Sequence, residues 1–110
     1  MNTSKTLNMT MLCDFYELTM GNGYFKAGYK DRITHFDLFF RSVPDNGGYA
    51  IAAGLEQVVE YIQDLHFEPE DIAYLRGRKM FDEGFLSYLE HFKFTGDIYA
   101  VPEGTPVFPQ

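Results

Sequence analysis

Leu55, Val58, Val59, Ile62 and Leu65 recur at helical spacing directly after Gly54, with Glu56, Gln57, Glu60 and Gln63 on the opposite side. A 3.6-residue apolar period held over three turns cannot sit as a strand, so this segment anchors every other assignment. The segment before it has the opposite period. Between Ile33 and Val43, the residues Ile33, His35, Asp37, Phe39 and Arg41 alternate with Thr34, Phe36, Leu38, Phe40 and Ser42. That alternation predicts a strand, with the more apolar Thr34 set facing a core. The turn cluster Pro44-Asp45-Asn46-Gly47-Gly48 and the short apolar element Tyr49–Ala53 lead from one to the other. The chain therefore mixes helices and strands.

The remaining elements follow the same logic. A helix is predicted from Asp14 to Ala27, stopped by Gly28, with Asp14 as N-cap and Glu17 at capping-box spacing. Gly21 and Gly23 weaken that helix, which points to close approach of another backbone, with a ligand contact as the alternative. Pro69, followed by Glu70 and Asp71, opens a helix ending near Gly77, and Asp82 to Phe92 form another with Phe85, Leu86, Leu89 and Phe92 on one side. Gly96–Val101 reads as a strand, Pro102–Thr105 as a turn, and Pro106–Phe108 as the strand returning along it. Residues 1–11 read as a flexible leader and 12–110 as one domain, which is what 110 residues accommodate.

A net charge of -7 argues against a general nucleic-acid or anionic-membrane surface, and 45% hydrophobic residues mark a core-forming chain. The polar start lacks a signal-peptide core, no apolar run is long enough for a bilayer, and the single Cys13 excludes an internal disulfide. A cytoplasmic location is expected. His35, His66 and His91 share no metal-ligand spacing, and Cys13 has no local base to make it a nucleophile. Glu68, Glu70 and Asp71 read as a solvated helix start. Arg41 closes an apolar strand before a Gly-rich turn, where a guanidinium suits phosphate oxygens or a plain salt bridge. Asp14 and Tyr16 place a carboxylate and a phenol where helix N–H groups are unpaired. Such an end holds the edge and face of a flat ligand, or simply starts a helix.

Several blocks, in order, carry a resemblance. Asp14-Phe15-Tyr16-Glu17-Leu18-Thr19-Met20, Phe36-Asp37-Leu38-Phe39-Phe40-Arg41 with Pro44 and Gly47-Gly48-Tyr49, Ala53-Gly54-Leu55-Glu56, and Gly96-Asp97-Ile98-Tyr99-Ala100-Val101-Pro102-Glu103-Gly104-Thr105-Pro106 resemble the start of nicotinate phosphoribosyltransferase. The resemblance covers the chain from about Leu12 onward. It implies an α/β (α+β) fold: a partial N-terminal α/β-sandwich domain of a type II phosphoribosyltransferase, with helices on a small mixed or antiparallel sheet. On that reading the domain is incomplete within 12–110, breaks off inside a β-hairpin, and is followed by a barrel. The implied reaction joins nicotinate to phosphoribosyl pyrophosphate with ATP hydrolysis and Mg2+, giving nicotinate mononucleotide in NAD salvage.

Active sites in that family lie between subunits of a homo-oligomer, a dimer. Carried over to this sequence, Tyr16 stacks on nicotinate held by the neighbouring subunit, Asp14 sits beside it, and Arg41 reaches phosphate oxygens of phosphoribosyl pyrophosphate or ATP. Cys13 stands where threonine is expected and Phe15 where leucine is commoner. The phosphate loops, the phosphorylatable histidine and the groups gripping nicotinate belong to later chain, so this chain alone is expected to be inactive, with no catalytic or metal-binding residue of its own. The alternatives are a non-catalytic self-association module, or a fragment of a nicotinamide-specific relative.

Overall fold

The computed structural model describes residues 7–110, and its regular elements are α1 (Phe15–Lys26), β1 (Ala50–Ile51), α2 (Leu55–Gln63), α3 (Pro69–Gly77), α4 (Glu83–Glu90) and β2 (Pro106–Val107). This is a mixed α+β fold of four helices with one two-stranded antiparallel sheet. The described residues form two compact units, residues 7–32 with 61–94 and residues 33–60 with 95–110.

The first unit holds α1, α3, α4 and the last residues of α2. Its core is Leu18 from α1, Ile72 and Leu75 from α3, and Phe85, Leu86 and Leu89 from α4. The i, i+3, i+4 spacing in α3 and α4 puts those side chains on one stripe of each helix, and burial of that stripe drives the packing. Phe25 and Phe81 join the core through Phe85, with ring centroids 5.9 and 6.1 Å away. Gly84 sits where a Cβ would lie 3.2 Å from the Phe25 ring, so α4 approaches α1 closely at its first turn. The Asn22 side chain of α1 accepts a 2.9 Å bond from the Asp82 N–H and fixes the start of α4.

Helix ends depart from expectation in instructive ways. Asp14 is the N-cap of α1, but its carboxylate accepts none of the free N–H groups, and the expected Asp14–Glu17 capping box does not form. The Glu17 N–H instead bonds the Asp14 carbonyl at 3.0 Å, so the first turn is closed by backbone alone. At α3 the carboxylate of Asp71 does accept from the Glu68 N–H, at 2.9 Å. Gly28, with φ +80°, terminates α1 as expected, and α3 ends at Gly77 as expected, with Lys79 at φ +55° two residues beyond it.

The two glycines of α1 differ from each other. A Cβ on Gly21 would lie 3.3 Å from the Phe85 ring, so its neighbour is a side chain and not a backbone; a Cβ on Gly23 would meet nothing within 4 Å. Gly23→Ala is therefore expected to stabilise the first unit by about 0.5–1 kcal/mol, because it removes unfolded-state freedom at no steric cost. Paired thermal melts of the two single variants check this: G23A raises the midpoint and exceeds any gain from G21A.

The second unit carries the sheet. Ala50 pairs with Val107 and Ile51 with Pro106, and the ladder continues through Ala52 N–H to the Thr105 carbonyl and Gly104 N–H to the Ala52 carbonyl. This corrects the expected hairpin: 96–101 is no strand, because the backbone groups of 104–107 pair with 50–52 instead. The Glu103 carboxylate accepts the Leu55 N–H and so caps α2 from a distant loop. The expected strand 33–43 does not form either. One backbone bond reaches it, from the Gln110 N–H to the Phe40 carbonyl, and a strand without a ladder has no hydrogen-bonded conformation to hold. Its expected core-facing set is not buried either, since Phe36 and Leu38 are 90% and 99% exposed and Phe40 alone of that set is partly buried. In the turn 44–47 positive φ is supplied by Asp45 and Asn46, and Gly47 N–H closes it on the Pro44 carbonyl at 3.0 Å.

Of the stretch read as a leader, residues 1–6 lie outside the described residues. Within the rest of that stretch Thr10 is buried and Asn8 is bonded to His66.

Candidate functional site

The start of α1 is the most chemically loaded place in the first unit. Asp14 and Glu17 lie within one turn, and with Leu12, Cys13 and Tyr61 they line a shallow open depression. Partial desolvation, then the charges of Glu17 and Asp14, hold the Cys13 thiol above its ordinary value. Desolvation followed by Cys13 and Glu17 does the same for the Tyr61 phenol. Both groups therefore stay protonated at neutral pH, and Cys13 is no thiolate nucleophile. Tyr61 was hidden from the sequence reading because it sits inside the helical pattern of α2, and no motif marks it.

Tyr16 is 59% exposed and its ring pairs with no other aromatic ring among the described residues. One turn on, Met20 is 47% exposed, whereas Leu18 between them is buried in the core. Helix α1 thus has two apolar faces. Leu18, Gly21 and Phe25 pack against α4, and Tyr16 and Met20 point away from that core. A helix whose sole task is to close its own core has no use for the second face.

Behind the inner face runs an aromatic groove of about 380 Å³. Its lining includes the buried Leu18, Phe85 and Leu89 and the rings of Tyr24, Tyr61 and Tyr88. The Arg32 guanidinium stands 4.3 Å over the Tyr29 ring, a cation–π contact that leaves it paired with aromatic density.

Of the three residues singled out from sequence, Asp14 and Tyr16 come together on the first turn of α1. Arg41 belongs to the second unit, where it is exposed, follows the irregular segment 33–40, and makes no ion pair among the described residues. Among the described residues no three His, Cys, Asp or Glu side chains converge as a metal cage requires. His91 Nδ1 lies 3.1 Å from the Ser87 carbonyl at the end of α4, a helix-end contact. No helix among the described residues is long and apolar enough to cross a membrane.

Residues 11–110 match the family of the nicotinate phosphoribosyltransferase (NAPRTase) N-terminal domain. The chain is 41% identical over 99 residues to a nicotinate phosphoribosyltransferase of Mycobacterium tuberculosis, covering 90% of this chain and 21% of that protein. It is 36% identical over 101 residues to nicotinate phosphoribosyltransferase of Bacillus subtilis, covering 92% and 21%. Against the enzyme of the same name from Caenorhabditis elegans it is 36% identical over 115 aligned positions, covering 100% and 20%. The chain spans about a fifth of the length of the curated relatives it matches.

Proposed function

Because the chain belongs to the nicotinate phosphoribosyltransferase family, through its N-terminal domain, we propose that it supplies one wall of a nicotinate site completed by other protein. The observation that carries this reading is the outward face of α1. Tyr16 presents a free aromatic ring at the helix N-terminus, turned away from the core that the helix itself closes. A flat pyridine ring is recognised by such a face through offset stacking, with the phenol adding area at little entropic cost.

The carboxylate of Asp14, which takes none of the helix-start N–H groups, is free to orient groups beside that ring. A negative charge there does not pair with the carboxylate of nicotinate, so the acid itself is gripped elsewhere. Arg41 suits phosphate oxygens of phosphoribosyl pyrophosphate or ATP, since its fork has no carboxylate partner among the described residues. In the complete enzyme Mg2+ and ATP supply charge neutralisation and driving force to pentosyl transfer. This chain's part is to bind and orient. The site forms in trans, within a homo-oligomer, and the protein works in the cytoplasm on the route that returns nicotinate to NAD.

The test is direct. The 110-residue chain alone is expected to release no pyrophosphate from phosphoribosyl pyrophosphate in the presence of nicotinate and ATP. Activity is expected once the remaining polypeptide is supplied. Nicotinate mononucleotide formed by the purified short chain would sink the reading.

A further inference from the structure

His66 lies between α2 and α3 with both ring nitrogens engaged. Nδ1 is 2.5 Å from the Asp64 carbonyl and Nε2 is 2.8 Å from the Glu68 carboxylate. A carbonyl and an ionised carboxylate only accept, so both nitrogens must donate, and that is the imidazolium form. The Asp64 carboxylate adds a negative charge 3.9 Å from Nδ1, beyond hydrogen-bond distance.

A fourth group faces the ring from the segment before α1. The Asn8 side-chain Nδ2 is 3.1 Å from the His66 carbonyl and 3.3 Å from His66 Nε2. Its orientation is fixed, because Asn8 Oδ1 already accepts from the Thr10 N–H at 3.0 Å and from the Thr10 hydroxyl at 2.7 Å. The Thr10 hydroxyl in turn accepts from the His66 N–H at 3.2 Å. Two donors therefore meet at Nε2 when the ring is charged. When it is neutral, the amide of Asn8 is already placed to give Nε2 a proton donor.

We propose that His66 is a proton-dependent partner exchanger: charged, it bridges the Asp64 carbonyl and the Glu68 carboxylate, and neutral, it releases Glu68 and accepts a hydrogen bond from Asn8. The His66 backbone is held to the segment leading into α1 by Asn8 and Thr10 in both states, and the proton decides whether the ring ties to the start of α3 or adds a further bond to that segment. The Asp64 carbonyl holds Nδ1–H in both states, so the neutral ring is the Nδ1–H tautomer, the minor one in water. The bond to the Asp64 carbonyl, then the one to Glu68, raise the His66 pKa above its ordinary 6.5, against the opposing effect of desolvation. The ion pair is therefore present in acid and lost as pH rises through the raised value, above 6.5.

Nitrogen-15 NMR of the full chain, titrated from acid to alkaline pH, tests this through ring shifts and the Asn8 side-chain amide. The neutral ring is expected as the Nδ1–H tautomer, with the Asn8 amide signal moving on the same titration curve. Glu68→Gln lowers the His66 titration point, because it removes the charge that favours imidazolium. Asn8→Ala raises it, because it removes the donor that favours the neutral ring. A structural role alone moves neither in opposite directions. An Nε2–H neutral tautomer, or an unmoved titration point in both variants, overturns the proposal. None of these readouts needs a ligand, so they stand apart from the nicotinate reading.

Discussion

Leu86→Ala is expected to destabilise the first unit by about 2–5 kcal/mol, the range for truncating a buried leucine into a cavity that relaxes only partly. Leu86 is 0% exposed and belongs to the buried cluster formed with Leu75 of α3 and with Phe85, whose ring packs on Phe25. The transfer of its lost methyl groups and the unfilled volume act together, and no polar partner is available to offset them. Whole domains are stable by only about 5–15 kcal/mol, so the loss is a large share of what holds the unit together. Denaturant unfolding followed by circular dichroism measures it. Leu86→Met keeps the volume and costs less than about 1.5 kcal/mol. Leu12→Ala, at a residue 73% exposed, stays within about 0.5 kcal/mol. A melting midpoint for L86A equal to that of L12A would show that the core is placed wrongly.

Tyr16→Ala is expected to leave stability almost unchanged and to weaken nicotinate use strongly. Removing an aromatic platform from under a flat heterocycle costs about 1–3 kcal/mol by comparison with base stacking, or roughly five- to 150-fold in KM for nicotinate. The measurement belongs on the polypeptide that carries this domain together with its later chain. Tyr16→Phe keeps the face and loses only the hydroxyl, so it retains nearly all of the affinity. Mixed oligomers sharpen the test: subunits bearing Y16A, combined with subunits inactivated elsewhere, recover activity only if Tyr16 serves a neighbour's site. An unchanged KM in Y16A would remove Tyr16 from the site. A fall in kcat with KM untouched would give it a role other than stacking.

Much of the helical architecture was legible because its signals are local. The period of α2, the proline that opens α3, and the Phe85-Leu86-Leu89 stripe of α4 each report their own few residues, and each is where the pattern puts it. The segment 33–43 failed for the converse reason. Its alternation describes a surface that fits a sheet, but a strand exists only through hydrogen bonds with another segment, and the second unit offers it one bond at Phe40. The same holds for 96–101, whose expected partner at 106–107 is engaged by 50–51. Pairing choice is non-local, and period-2 patterning does not name the partner.

The site divides along the same line. Sequence alone determined the family, the helix that begins after Asp14, and the presence of Tyr16 on its first turn, because ordered blocks and caps are written in consecutive residues. Tertiary structure decided which way that turn faces: Leu18 goes inward against α4 and Tyr16 goes outward, a choice made by the partner helix and not by the spacing. It also decided that Glu103 caps α2 from a distant loop, and that Asn8, Thr10, Asp64 and Glu68 converge on His66. Those contacts join residues up to 58 positions apart, and no local preference encodes a distance of that kind.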